Sequence, residues 1–240
     1  MDMTKSGLYF ILFFGLLLTV FMPPAATFDL WWHIQAGKDM VLHGTWPSPD
    51  EYSFTAKGAV WIVHSWLGDI LLYLMYSCIG LTGLSVVRVA VHLFFALSLA
   101  YFLWKKSGNL YIVFFFVVVT IDIVSFREIR PYLFSEVASV VLISYLYAVS
   151  PYRISRWVVF LIQVAWINIH PEALVFYPLV FMKLIQSVIK KPRDNSSILF
   201  DLFLFSTFFL TPNTVGLLLR TWEGVQYPTS DWYGVFFWLN

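Results

Sequence analysis

Ser65-Trp-Leu-Gly-Asp-Ile-Leu-Leu-Tyr-Leu-Met-Tyr-Ser-Cys-Ile-Gly80 is the stretch on which the topology turns. Its length suits a short membrane span. Yet His64, Ser65, Gly68 and Asp69 fall on one side at helical spacing, as in a helix lying flat in the bilayer interface. The basic residues separate the two readings. With 65–80 flat and a cytoplasmic N-terminus, Lys5, Lys105, Lys106, Arg153, Arg156, Lys190, Lys191 and Arg193 all face the cytoplasm. Lys38, Lys57, Arg88, Arg127, Arg130 and Arg220 then face the other side. If 65–80 spans, every later loop flips and the Lys105-Lys106 and Lys190-Lys191 pairs land outside. Short cytoplasmic loops are enriched in Lys and Arg, which favours the flat helix.

Outward from that stretch the chain is apolar. Of 240 residues, 60% are hydrophobic and 12% charged, against about a quarter charged in soluble domains. This composition predicts an all-α polytopic membrane protein, because backbone crossing lipid must satisfy its own hydrogen bonds. Seven spans are expected, roughly 8–23, 84–104, 110–125, 133–149, 157–169, 173–189 and 198–219. The first run, from Leu8 to about Met22, reads as an uncleaved helix, since many further spans follow and need a partner. The net charge of +1 gives no electrostatic argument for nucleic acid. Cys78 is the one cysteine, so no intrachain disulfide and no cysteine metal cluster can form.

In this topology the unusual polar residues gather on one face. The first extracytoplasmic loop, 24–83, holds Asp29-Leu-Trp-Trp-His33, Asp50, Glu51 and the 65–80 helix, and 220–240 forms a tail on the same side. Asp29 to Gly44 predicts a short helix closed by glycine. Asp29 and His33 are four apart and share a face. They read either as a catalytic carboxylate with a hydrogen-bonding imidazole or as a helix cap with an aromatic belt around it. Asp50 and Glu51 sit in a proline-rich turn and could contact an acceptor hydroxyl or a metal; solvated turn acids are the plainer reading. His33, His43, His64, His92 and His170 show no metal-binding spacing.

Arg127, Glu128 and Arg130 stand at an outer helix junction. They suit a phosphate bound by forked guanidinium donors, or an internal ion pair tying two helices. Asp122 and Glu136 lie in or beside apolar runs, where ionisable groups are costly. Asn168 to Glu172, with His170 and Glu172, forms a third polar cluster whose alternative is a hairpin turn.

Asp29-Leu-Trp-Trp-His33, Gly37, Gly44, Pro47, Asp50, Ser53, Trp61 through Trp66-Leu-Gly-Asp69, Arg130-Pro131-Tyr132 and Trp166-Ile-Asn-Ile-His170 together resemble bacterial membrane glycosyltransferases of the GT-C superfamily. The similarity is to the group containing the protein O-mannosyltransferases and the lipid A aminoarabinose transferase. It implies a sugar donor on a polyprenyl phosphate carrier, a cytoplasmic (inner) membrane location and an active face outside the cytoplasm. It also implies Asp29 as catalytic base and membrane-parallel helices in the first outer loop, over about 29–43 and 65–80. The expected substrate contacts are His33, Asp50, Glu51, Arg127, Glu128, Arg130, His170 and Glu172. No cofactor is indicated; a divalent metal stays open. Membrane lipid and the lipid-linked sugar are the expected partners. Such enzymes usually continue with more spans, so a chain stopping at Asn240 reads as a fragment, a minimal form or one half of a complex with a partner subunit. The rival classes are a non-catalytic assembly subunit and a transporter or flippase of lipid-linked sugars.

Overall fold

The computed structural model describes residues 28–44, 46, 49–52, 57–58, 61, 63–113, 115–116, 128–147, 154–189 and 195–212. These residues are helical throughout their ordered elements, with no strand. The elements are α1 (Phe28–His43), α2 (Trp66–Ser107), α3 (Leu133–Tyr147), α4 (Arg156–Ile169), a 3-10 turn (Pro171–Val175), α5 (Phe176–Ile189), α6 (Asn195–Ser206) and a second 3-10 turn (Thr207–Phe209). Two helical stretches are long and apolar enough to cross a membrane, Trp66–Ser107 and Pro171–Ile189. The expected span over 8–23, most of 110–125 and the tail 220–240 lie outside the described residues, as do Arg127 and Asp122.

α1 ends where glycine predicts. Gly44 adopts φ 62° and its N–H donates to the Met40 carbonyl, closing the last turn in a left-handed conformation that costs glycine little. α2 covers 42 residues but consists of two helices that meet at a kink at Gly80, so the 65–80 helix ends where the sequence reading ends it. A straight helix of that length would reach about 63 Å, twice the hydrocarbon core. It is not straight. Gly80 has φ 64° and ψ −172° inside the element, a region open essentially to glycine alone. Gly83 completes the bend: a Cβ there would sit 2.4 Å from Cβ of Ile79. On an unbent helix those positions lie about 5–6 Å apart. The Gly80–Gly83 pair therefore replaces a linker with a hinge one turn long.

Two cores result. Leu30 and Ile34 of α1 pack with Leu72 and Leu84 of α2 and with Ile129. Leu142, Val159, Trp166, Phe176, Val180 and Leu204 join α3, α4, α5 and α6. Between the cores, α2 meets α1 and α3 at its start, and two glycines let it do so. A Cβ on Gly37 would lie 2.1 Å from the Asp69 carbonyl oxygen. A Cβ on Gly68 would lie 2.7 Å from Pro131 Cβ and 2.8 Å from the Ile169 carbonyl oxygen. The first turn of α2 is thus the point where α1, the Arg130-Pro131 segment and the end of α4 converge.

Candidate active site at the head of the second helix

Around that convergence the polar segments meet. Asp29, in the first turn of α1, pairs with Arg130: Oδ2 to Nη2 is 2.6 Å. Glu128 Oε2 lies 2.6 Å from Nε of the same guanidinium, off the N–H direction, so this contact is ionic rather than an aligned hydrogen bond. Asp29 is 37% exposed and Arg130 36%, so solvent reaches both and their pairing is screened. Of the two open readings for Arg130, the structure holds an ion pair that ties α1 to the segment before α3.

His170 and Glu172 follow on the adjoining side. His170 Nδ1 accepts from the Glu172 N–H at 3.3 Å and lies 3.5 Å from its carboxylate. The His170 ring stands edge-on to Tyr132 with centroids 6.3 Å apart. Burial pushes the Tyr132 phenol well above its ordinary range; the Glu128 carboxylate adds to this and Arg130 opposes it. Asn168 locks the arrangement. Its carbonyl accepts from the Trp66 indole at 2.9 Å, and its amide donates to the Val164 and Leu210 carbonyls at 2.8 and 3.0 Å. One side chain therefore joins the head of α2, the end of α4 and the segment after α6.

His33 does not turn to Asp29 as shared helix face alone would have it. Its Nδ1 lies 2.6 Å from Oδ1 of Asp69, a fully buried carboxylate in the first turn of α2. Ser65 Oγ donates to the same oxygen at 3.1 Å. Trp32 lies against the imidazole, its ring tilted by 30° with centroids 3.6 Å apart. Asp69 also stands within electrostatic range of His170, which joins this buried pair to the rim.

Asp50 Oδ1 accepts from the Tyr52 N–H at 2.9 Å and its carbonyl accepts from Gly58, so Asp50 builds a turn; Glu51 is exposed. Tyr52 reaches back to Asp39 at 2.6 Å, about 15 Å along α1 from Asp29. Burial, then that hydrogen bond, pushes the Tyr52 phenol up.

Two further pairs between helices escaped the sequence reading. His92 Nδ1 on α2 meets Glu136 Oε2 on α3 at 2.7 Å. Lys183 on α5 bonds Asp201 on α6, with the Tyr145 hydroxyl at 3.3 Å. Glu136 carried a signal as an acid in an apolar run; Lys183 and Asp201 carried the same one. Among the described residues no three of His, Cys, Asp and Glu converge as a metal group would. No protein-family model, curated protein or solved structure matches the chain.

Proposed function

We propose that the chain is a GT-C-type membrane glycosyltransferase module that moves a sugar from a polyprenyl phosphate carrier to an acceptor hydroxyl, at the extracytoplasmic face of the cytoplasmic membrane. In this reading seven helices cross the bilayer, and the half of α2 before Gly80 lies in the outer interface with α1. The observation that carries it is the meeting of Asp29, Glu128, Arg130, His170 and Glu172, from three distant segments, at one end of an apolar helix bundle. A lipid-linked substrate needs a polar site at the mouth of an apolar groove.

The chemistry fits these groups. The acceptor oxygen bonds to the anomeric carbon. The bond from that carbon to the phosphate oxygen breaks, and its electron pair leaves with the lipid phosphate. Arg130 stabilises that developing charge. Its contacts with Asp29 and Glu128 use the Nε/Nη2 edge of the fork, so a phosphate would approach from the Nη1 end. α1 supplies the acceptor for the hydroxyl proton, a role the family resemblance gives to Asp29. A flippase of lipid-linked sugars is the second reading, favoured by the His92–Glu136 and Lys183–Asp201 pairs, since ionisable groups inside apolar helices often line transport paths.

Arg130→Ala tests the proposal. Binding of undecaprenyl phosphate to purified protein is expected to weaken at least tenfold, the scale of one charge-assisted contact, with Arg130→Lys recovering part of it. Unchanged binding in both variants leaves Arg130 a tie between segments and removes the phosphate site.

A further inference from the structure

We infer that His33 takes the acceptor proton and that Asp69 is the positioning residue that readies it, while Asp29 serves to anchor Arg130; the inference rests on the transferase reading above. Asp29 already contacts the cation that the phosphate requires. If it left Arg130 to reach a hydroxyl, the phosphate site would lose its anchor as the leaving group forms.

His33 is held differently. Burial raises the Asp69 pKa, and the His33 and Ser65 hydrogen bonds oppose this by favouring the carboxylate; as a carboxylate Asp69 only accepts, which puts the proton of His33 on Nδ1. That tautomer leaves the lone pair on Nε2, the basic nitrogen. Three features fix the ring. Asp69 is fully buried and its Oδ1 is shared with Ser65. Trp32 lies against the imidazole face. Gly37, one turn after His33, lets the Asp69 backbone come closer than any side chain would allow. Asp69 stands within electrostatic range of His170, which links the pair to the charges at the rim. When Nε2 takes the proton, the imidazolium faces a buried carboxylate whose second oxygen, Oδ2, has no hydrogen-bond partner among the described residues. A buried aspartate orienting a histidine through Nδ1 is the arrangement that makes imidazole an effective base in hydrolytic triads.

The test uses the full chain in detergent. Its donors are undecaprenyl-phosphate-linked [14C]mannose and [14C]glucose; its acceptors are octyl glucoside and a serine peptide. His33→Gln and Asp69→Asn are expected to lower kcat by ~10²-fold or more while undecaprenyl phosphate binds as in the wild type. Asp69→Glu should restore part of the rate. Nitrogen-15 NMR of the histidines should place the His33 proton on Nδ1 in the wild type and move it in Asp69→Asn. Asp29→Asn should weaken undecaprenyl phosphate binding instead. Near-normal kcat in Asp69→Asn with the tautomer displaced overturns the inference. So does a fall in kcat for Asp29→Asn with binding intact, which returns the base to Asp29 and leaves the transferase reading standing. If Asp69→Asn fails to fold, His33→Gln decides alone, and normal turnover there overturns the inference. A wild-type chain that moves neither sugar removes the transferase reading and the role of His33 with it.

Discussion

The protein buries a histidine against a carboxylate twice. His33 meets Asp69 at 2.6 Å and His92 meets Glu136 at 2.7 Å, each with little solvent contact. The chemistry of the two pairs is the same; their settings differ. His33–Asp69 sits where three segments converge, its carboxylate supported by Ser65, its ring covered by Trp32 and its approach opened by Gly37. His92–Glu136 joins α2 to the first turn of α3, where Glu136 stands within electrostatic range of Tyr132. The comparison separates a pair held in one orientation beside exposed charges from a pair that mainly joins two helices. Burial and distance do not tell them apart; the neighbours do.

That contrast can be broken most forcefully at Gly37. Gly37→Val places side-chain atoms where the Asp69 carbonyl stands. It should cost about 3 kcal/mol or more of stability, the upper range for overpacking, and dismantle the first pair while sparing the second. Gly44→Ala, at a positive φ with open space around it, should cost only about 1 kcal/mol. Thermal unfolding in detergent compares them. Equal losses would mean that α1 is not pressed against α2 at Asp69.

A smaller effect sharpens the other side. Glu136→Ala strips the carboxylate from His92 and should cost about 2–3 kcal/mol, the scale of a buried charged hydrogen bond. Folded protein should keep undecaprenyl phosphate binding within a few-fold. A loss of binding larger than the loss of stability would draw this pair into the functional site. The smallest effect is expected at Glu51→Ala. This exposed residue should change stability by no more than about 0.5 kcal/mol and leave binding untouched. A clear fall in binding would bring the 50–51 turn into the site.

Much of this arrangement was legible in the chain. Gly44 ends α1 because glycine tolerates the left-handed cap, and that rule is local. The helices over 133–147 and 156–169 follow apolar runs bounded by polar residues, which is also local. Asp29, Arg130 and His170 were picked out as polar groups beside apolar helices, and the structure brings them to one end of the bundle. Pairings were not legible. Asp69 is 36 residues from His33, and Glu136 is 44 from His92; no periodicity connects positions on different elements. His33 was matched to Asp29 because they share a helix face, yet Gly37 brings α2 close enough for Asp69 to claim the ring. Lys183 and Asp201 were passed over because each alone reads as an isolated charge.

By itself the sequence determined that the described chain is helical and apolar; of the seven spans it predicts, the described helices include two stretches long and apolar enough to cross a membrane. Those properties depend on composition and on hydrogen bonds within a helix. It also determined where helices end or bend, because Gly44 and Gly80 act through their own backbone angles. The tertiary structure alone decided which carboxylate each imidazole meets and that Asp69 belongs beside His33. Those outcomes depend on how closely two helices approach. That distance is set where Gly37 and Gly68 have no side chain to keep the neighbouring backbone away.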